Sequence, residues 1–101
     1  MRQLRADPPK ITAVRDYLQR KFPKWAIEDR HETDTVAEVF TIWNATTHHS
    51  YLVTVSREFL DDNSPQVIAQ KLERWNVAEV LSTSERSIFH VTSSGVSAEE
   101  G

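Results

Sequence analysis

The sequence predicts an α+β fold in two layers: a helix, a three-stranded antiparallel meander, a helix or bent helix pair, and a final strand. Two observations carry this. Apolar residues recur every three or four positions near both 11–22 and 68–81, and every second position through most of 25–55; these are the periods of a helix face and of a strand face. The connections are short, which keeps consecutive elements adjacent, and 101 residues leave room for one domain.

The first helix is expected over 9–22. Asp7 before Pro8 reads as an N-cap ahead of a proline at the first helical position, while Pro9 disfavours helical geometry at Pro8 and moves the expected start to residue 9. Ile11, Val14, Leu18 and Phe22 fill one narrow arc, with Arg15, Asp16, Gln19 and Arg20 outside it. Pro23 stops the helix, because it has no amide hydrogen and its ring collides with the preceding turn.

From Lys24 the period becomes two. Trp25, Ile27, Asp29 and His31 alternate with Ala26, Glu28 and Arg30 in strand one. The second strand is expected over 35–43, with Val36, Phe40 and Ile42 on one face and Ala37, Val39, Thr41 and Trp43 on the other. Asn44 to Thr47 supplies turn residues. In strand three, His49, Tyr51, Val53 and Val55 alternate with Ser50, Leu52 and Thr54.

Ser56 is placed to cap a brief turn holding Phe59 and Leu60. Ser64 followed by Pro65 is the clearest helix start, since the hydroxyl satisfies an orphan amide and proline has none to satisfy. Ile68, Ala69, Leu72 and Trp75 mark one side of that helix, and Asn76, which tolerates the left-handed conformation, is read as a bend before Val77, Val80 and Leu81. The β-branched and aromatic stretch 87–92 reads as the last strand. Residues 1–8 are then a flexible basic arm, 9–92 a single domain and 93–101 a disordered polar tail.

Composition excludes several chemistries. With no cysteine, the chain makes no disulfide, offers no thiolate nucleophile and builds no thiolate metal site. With only two glycines, Gly95 and Gly101, it has neither G-x-G-x-x-G nor a P-loop, both of which need glycine for backbone amides to approach a phosphate; the G-x-S-x-G elbow is missing too. His31, His48, His49 and His90 are dispersed by the expected meander, so no metal or cofactor is expected. Neighbouring carboxylates, Glu28 with Asp29 and Asp61 with Asp62, point apart on a strand or sit in a solvated loop. Asn44-Ala45-Thr46 matches a glycosylation sequon but reads as a hydroxyl-rich turn. No secretory signal and no apolar run able to cross a bilayer is read, and a cytoplasmic, non-enzymatic protein is expected.

The formal charge of −3 joins unlike parts. Residues 1–24 carry seven basic and two acidic groups, +5; the remainder carries five basic and thirteen acidic groups, −8. The simpler meaning is that the basic segment lies near the acidic body of its own fold. The alternative is an anionic partner, nucleic acid included, held by Arg2, Arg5, Arg15, Arg20 and Lys21.

Helix, three strands and helix is also the order of the double-stranded RNA-binding domain, which holds phosphates with basic side chains at the start of its second helix. The corresponding place here reads Asp61, Asp62, Asn63, Ser64, Pro65, Gln66, where carboxylates repel phosphate. The order alone is likewise similar to that of the small acidic chaperones of type III secretion, dimers that bind extended partner segments; no motif accompanies that likeness.

Strand two is apolar on both faces, and one helix layer covers only one of them. Either the C-terminal strand and the segment from Val77 to Leu81 wrap around the second face, or it is an interface, with a protein partner or a second copy, centred on Trp43 with Tyr51 or Leu52.

Overall fold

The computed structural model describes residues 7–32 and 37–99. Helix α1 runs Pro8–Lys21, one residue earlier than expected at each end. The Asp7 carbonyl starts it by accepting from the amides of Lys10 and Ile11, at 2.9 and 3.2 Å; the Asp7 side chain makes no cap hydrogen bond. Of the expected basic arm, residues 1–6 lie outside the described residues and Pro8 is helical. Val14, Tyr17 and Leu18 are buried, Tyr17 joining the apolar stripe read from the sequence.

Three strands follow, β1 (Ala26–Glu32), β2 (Ala37–Trp43) and β3 (Ser50–Ser56), each antiparallel to the next. Expected strand positions 35 and 36 lie outside the described residues. Between β2 and β3 the Asn44 Oδ1 accepts from the amides of Thr46 and Thr47, at 2.9 and 3.2 Å, and His48 takes a positive φ of 62°. The sequon thus folds as a side-chain-braced turn.

Three helices connect β3 to β4. Ser56 Oγ accepts from Phe59 N to start α2 (Arg57–Asp61), and Ser64 Oγ accepts from Val67 N, at 3.3 Å, to start α3 (Pro65–Arg74). Asn76, at φ 54° and ψ 45°, makes the bend before α4 (Val77–Thr83). Because the crossover returns to the same end of the sheet, β4 (Ile88–Thr92) lies parallel to β3.

The C-terminal region departs from expectation. Where a disordered tail is read over 93–101, Gly95–Ala98 forms β5, antiparallel to β4 with Val91 opposite Val96 and Phe89 opposite Ala98. Ser93 and Ser94 make the turn, and Gly95 sits at φ +128°, a conformation that L side chains rarely adopt. Among the described residues the fold is therefore α+β with one five-stranded mixed sheet in the order β1-β2-β3-β4-β5 and four helices, with two strands where one final strand is expected.

One face of this sheet meets the helices. Phe40 and Ile42 of β2, Val53 and Val55 of β3, and Phe89 and Val91 of β4 pack with Val14, Leu18, Phe59, Leu60, Ile68, Leu72, Val77 and Leu81 in one buried cluster. The C-terminal segments do not wrap the second face. Helix α4 buries Val77 and Leu81 in the shared core, and β4 and β5 widen the sheet instead of folding over it.

Candidate functional site

Strand register lays out the second face in rows. Glu28 of β1, Thr41 of β2, Leu52 of β3 and Ile88 of β4 form one, and Arg30, Val39, Thr54, His90 and Ser97 form the next. Glu99 extends the first row, since its amide donates to the Ile88 carbonyl at 2.8 Å and its carboxylate lies 3.6 Å from His90 Nε2. Trp43 stands one row further along β2, diagonal to Leu52. Trp43 is 45% exposed and Ile88 38%, the large hydrophobic side chains most open to solvent among the described residues. Leu52, Thr41 and Thr54 are half-buried, whereas Val39 and Ala37 are buried. The accessible apolar surface is thus the Trp43, Leu52 and Ile88 end of the face.

The two-residue period separates the three residues expected to share an interface. Trp43 and Leu52 lie on the open face. Tyr51 points to the helix side, stacked on Trp25 with ring centroids 5.5 Å apart and edge-on to Phe89 at 5.9 Å. Phe22 completes this aromatic group from the end of α1. Ile88 is the open-face residue that sequence reasoning missed. Its signal was its alternation with Phe89 and Val91, but its neighbour in space, Leu52, is far away in the chain.

Three basic side chains of α1 meet carboxylates of the same molecule, and Lys10 Nζ donates to the Asp61 backbone carbonyl at 3.3 Å. Arg15 pairs with Asp29 of β1. Lys21 Nζ and Arg20 Nη2 reach the Glu73 carboxylate of α3, at 2.7 and 3.3 Å, and the Lys21 hydrogen bond foremost holds the Glu73 carboxyl below its ordinary pKa. A shallow depression of about 600 Å³ beside this pair is lined by Arg20, Ala69, Gln70, Glu73 and Arg74, so both signs of charge line it. Arg2 and Arg5 lie outside the described residues. The charge asymmetry of the sequence is met, as far as the described residues reach, by attraction within the fold.

A second missed residue is Glu38. It is fully buried in β2 on the helix side, level with His31 of β1, and its Oε2 lies 2.7 Å from His31 Nδ1. The signal was a carboxylate alternating with Phe40 and Ile42 on a strand face that is otherwise apolar. A buried carboxylate requires partners, because desolvation without them costs several kcal/mol, roughly. Among the described residues no group of three or more histidine, aspartate or glutamate side chains is placed to hold a metal ion, and no helix is long and apolar enough to cross a membrane.

No family model matches this chain, and neither a curated protein nor a solved structure matches it. Function therefore has to be argued from the geometry of the face itself.

Proposed function

We propose that this chain is a non-enzymatic interaction domain that binds another protein surface through the open sheet face. One observation carries the reading: Trp43 and Ile88, the most exposed large hydrophobic side chains among the described residues, flank Leu52 on the one sheet face that no described helix covers. Scattered apolar residues are ordinary on a protein surface, but a cluster with a tryptophan at its edge has the composition of an interface anchor. The rest of the face suits such a role. Threonines neighbour the apolar group, and charged residues stand at the two edges of the sheet, Glu28 and Arg30 on β1 and Glu99 just beyond the end of β5, an apolar centre with a polar rim.

Site-specific photocrosslinking in cells tests this. A benzophenone side chain at position 43 or 88 is expected to form protein adducts, and the same group at Gln66, exposed on α3, is expected to form none. Equal adducts from all three positions, or none from 43 and 88, would overturn the reading.

A further inference from the structure

We propose that the occupant of the open face is an amphipathic helix of a different protein, laid across the strands with a basic residue at each end. This rests on the reading of the open face as an interaction surface. The row Glu28, Thr41, Leu52, Ile88 and Glu99 crosses the whole sheet with a carboxylate at either end and its apolar residues between them. Glu28 is exposed, and among the described residues it enters no hydrogen bond or ion pair. Glu99 is exposed too, its Oε1 lying 3.6 Å from His90 Nε2. Arg30 stands in the next row and is engaged within the chain. The −8 carried by residues 25–101 extends the same sign over the body. A partner that complements this row is therefore basic at both ends and apolar in the middle. Nucleic acid does not fit, since its phosphates would face Glu28 and Glu99.

Backbone hydrogen bonding decides the partner's conformation. Strands β2, β3 and β4 are paired on both sides, so a segment lying on their face meets side chains and no free amide or carbonyl. It has to satisfy its own backbone, which a helix does and a lone extended strand does not. The dimensions agree. Four steps between the five strands, about 4.8 Å each, separate Glu28 from Glu99 by about 19 Å, and a helix rising about 1.5 Å per residue spans that length in about 13 residues. Its width of about 10 Å takes in the adjacent row on the Trp43 side as well. The apolar stripe of such a helix, repeating every three or four residues, then rests on Leu52 and Ile88 with Trp43 against its flank. Val39 and Ala37, already buried within the chain, lie outside this footprint.

Two synthetic helical peptides test this on the full chain by fluorescence anisotropy. Both carry a leucine stripe, and one has lysines where the other has glutamates, at two ends set about 13 residues apart. The lysine peptide is expected to bind about tenfold tighter or more. Glu28→Gln with Glu99→Gln should cut that preference to about threefold or less, whereas Asp16→Asn with Asp62→Asn, the same loss of charge at exposed positions of the helix layer, should keep it. Trp43→Ser and Ile88→Ser should each weaken both peptides. Circular dichroism confirms that every variant is folded. Equal binding of the two peptides overturns the proposal, as does a preference that survives Glu28→Gln with Glu99→Gln. A crosslinked product from position 43 at twice the chain's 11.6 kDa would mark a second copy and overturn it as well. Adducts between position 43 and a different protein, alongside equal binding of the two peptides, would overturn the basic helix and leave the interaction face standing; no adducts from positions 43 and 88 would remove the face and this inference together.

Discussion

The phenol oxygen of Tyr17, in α1, accepts the amide hydrogen of Ala78, in α4, at 3.0 Å. Helix N-termini leave amides without intrahelical partners, and Asn76, at the N-cap of α4, does not cap with its side chain, which donates instead to Glu79 Oε2 at 3.0 Å. A residue 61 positions away in sequence therefore does the capping, and couples the first helix to the last. Tyr17→Phe keeps the ring and removes the acceptor, and is expected to destabilise the fold by about 1–2 kcal/mol, read as a lower urea midpoint at unchanged m value. No change in the midpoint would show that the bond contributes nothing.

The same residue sets an alkaline limit. Burial, the largest influence, raises the Tyr17 phenol above its ordinary pKa of 10.0, against the lowering by the Ala78 hydrogen bond. The unfolded chain then loses this proton more readily than the folded one. The associated stability is complete below the unfolded pKa and is lost as pH rises through the raised folded value. Unfolding curves measured from about pH 9 upward, just below the ordinary phenol range, should show a steeper alkaline loss for the wild type than for Tyr17→Phe, and parallel curves would contradict it.

His31 and Glu38 make a different kind of pair, closed by cross-strand register at a fully buried carboxylate. His31→Ala removes the imidazole that hydrogen-bonds this buried carboxyl group, and is expected to cost about 1–3 kcal/mol. Replacing both by apolar residues, His31→Leu with Glu38→Met, should recover part of that loss, because no desolvated carboxyl group is left to satisfy. Chemical denaturation of the wild type and both variants decides it; a double variant weaker than His31→Ala would show that the pair contributes more than its own desolvation cost.

Two proline-led helix starts look alike in sequence and differ in structure. Ser64 caps α3 through its hydroxyl, whereas Asp7 contributes only its carbonyl to α1. Ser64→Ala should therefore lower stability by about 1 kcal/mol, and Asp7→Ala should stay within about 0.5 kcal/mol of wild type. Equal losses at the two sites, again by chemical denaturation, would contradict the difference in cap geometry.

Much of the local structure is legible in the chain. Pro23 and Pro65 mark a helix end and a helix start, Asn76 marks a bend, and the two-residue alternation from Trp25 to Val55 assigns strand faces. Residues 95–98 are not legible as a strand, because Gly95, Val96 and Ser97 together carry little propensity and acquire their pairing from Thr92, Val91 and His90 of β4. Tyr51 is similar. Alternation places it opposite Leu52, but its role in the core depends on Trp25 and Phe89, which other segments deliver.

Residue type and short-range spacing were enough to set the helices, the strand period, the absence of thiol and glycine-loop chemistries, and an apolar excess on β2. Sterics, missing amides and periodicity act within a few residues, so the chain carries these features locally. Which face stays open was left to long-range contacts. The α2–α4 crossover returned β4 beside β3, β5 extended the sheet at its edge, and the core residues of every described helix packed into one shared cluster on the same side. Those outcomes depend on residues far apart in the chain, and they are what bring Trp43, Leu52 and Ile88 together, along with the charged rows beside them.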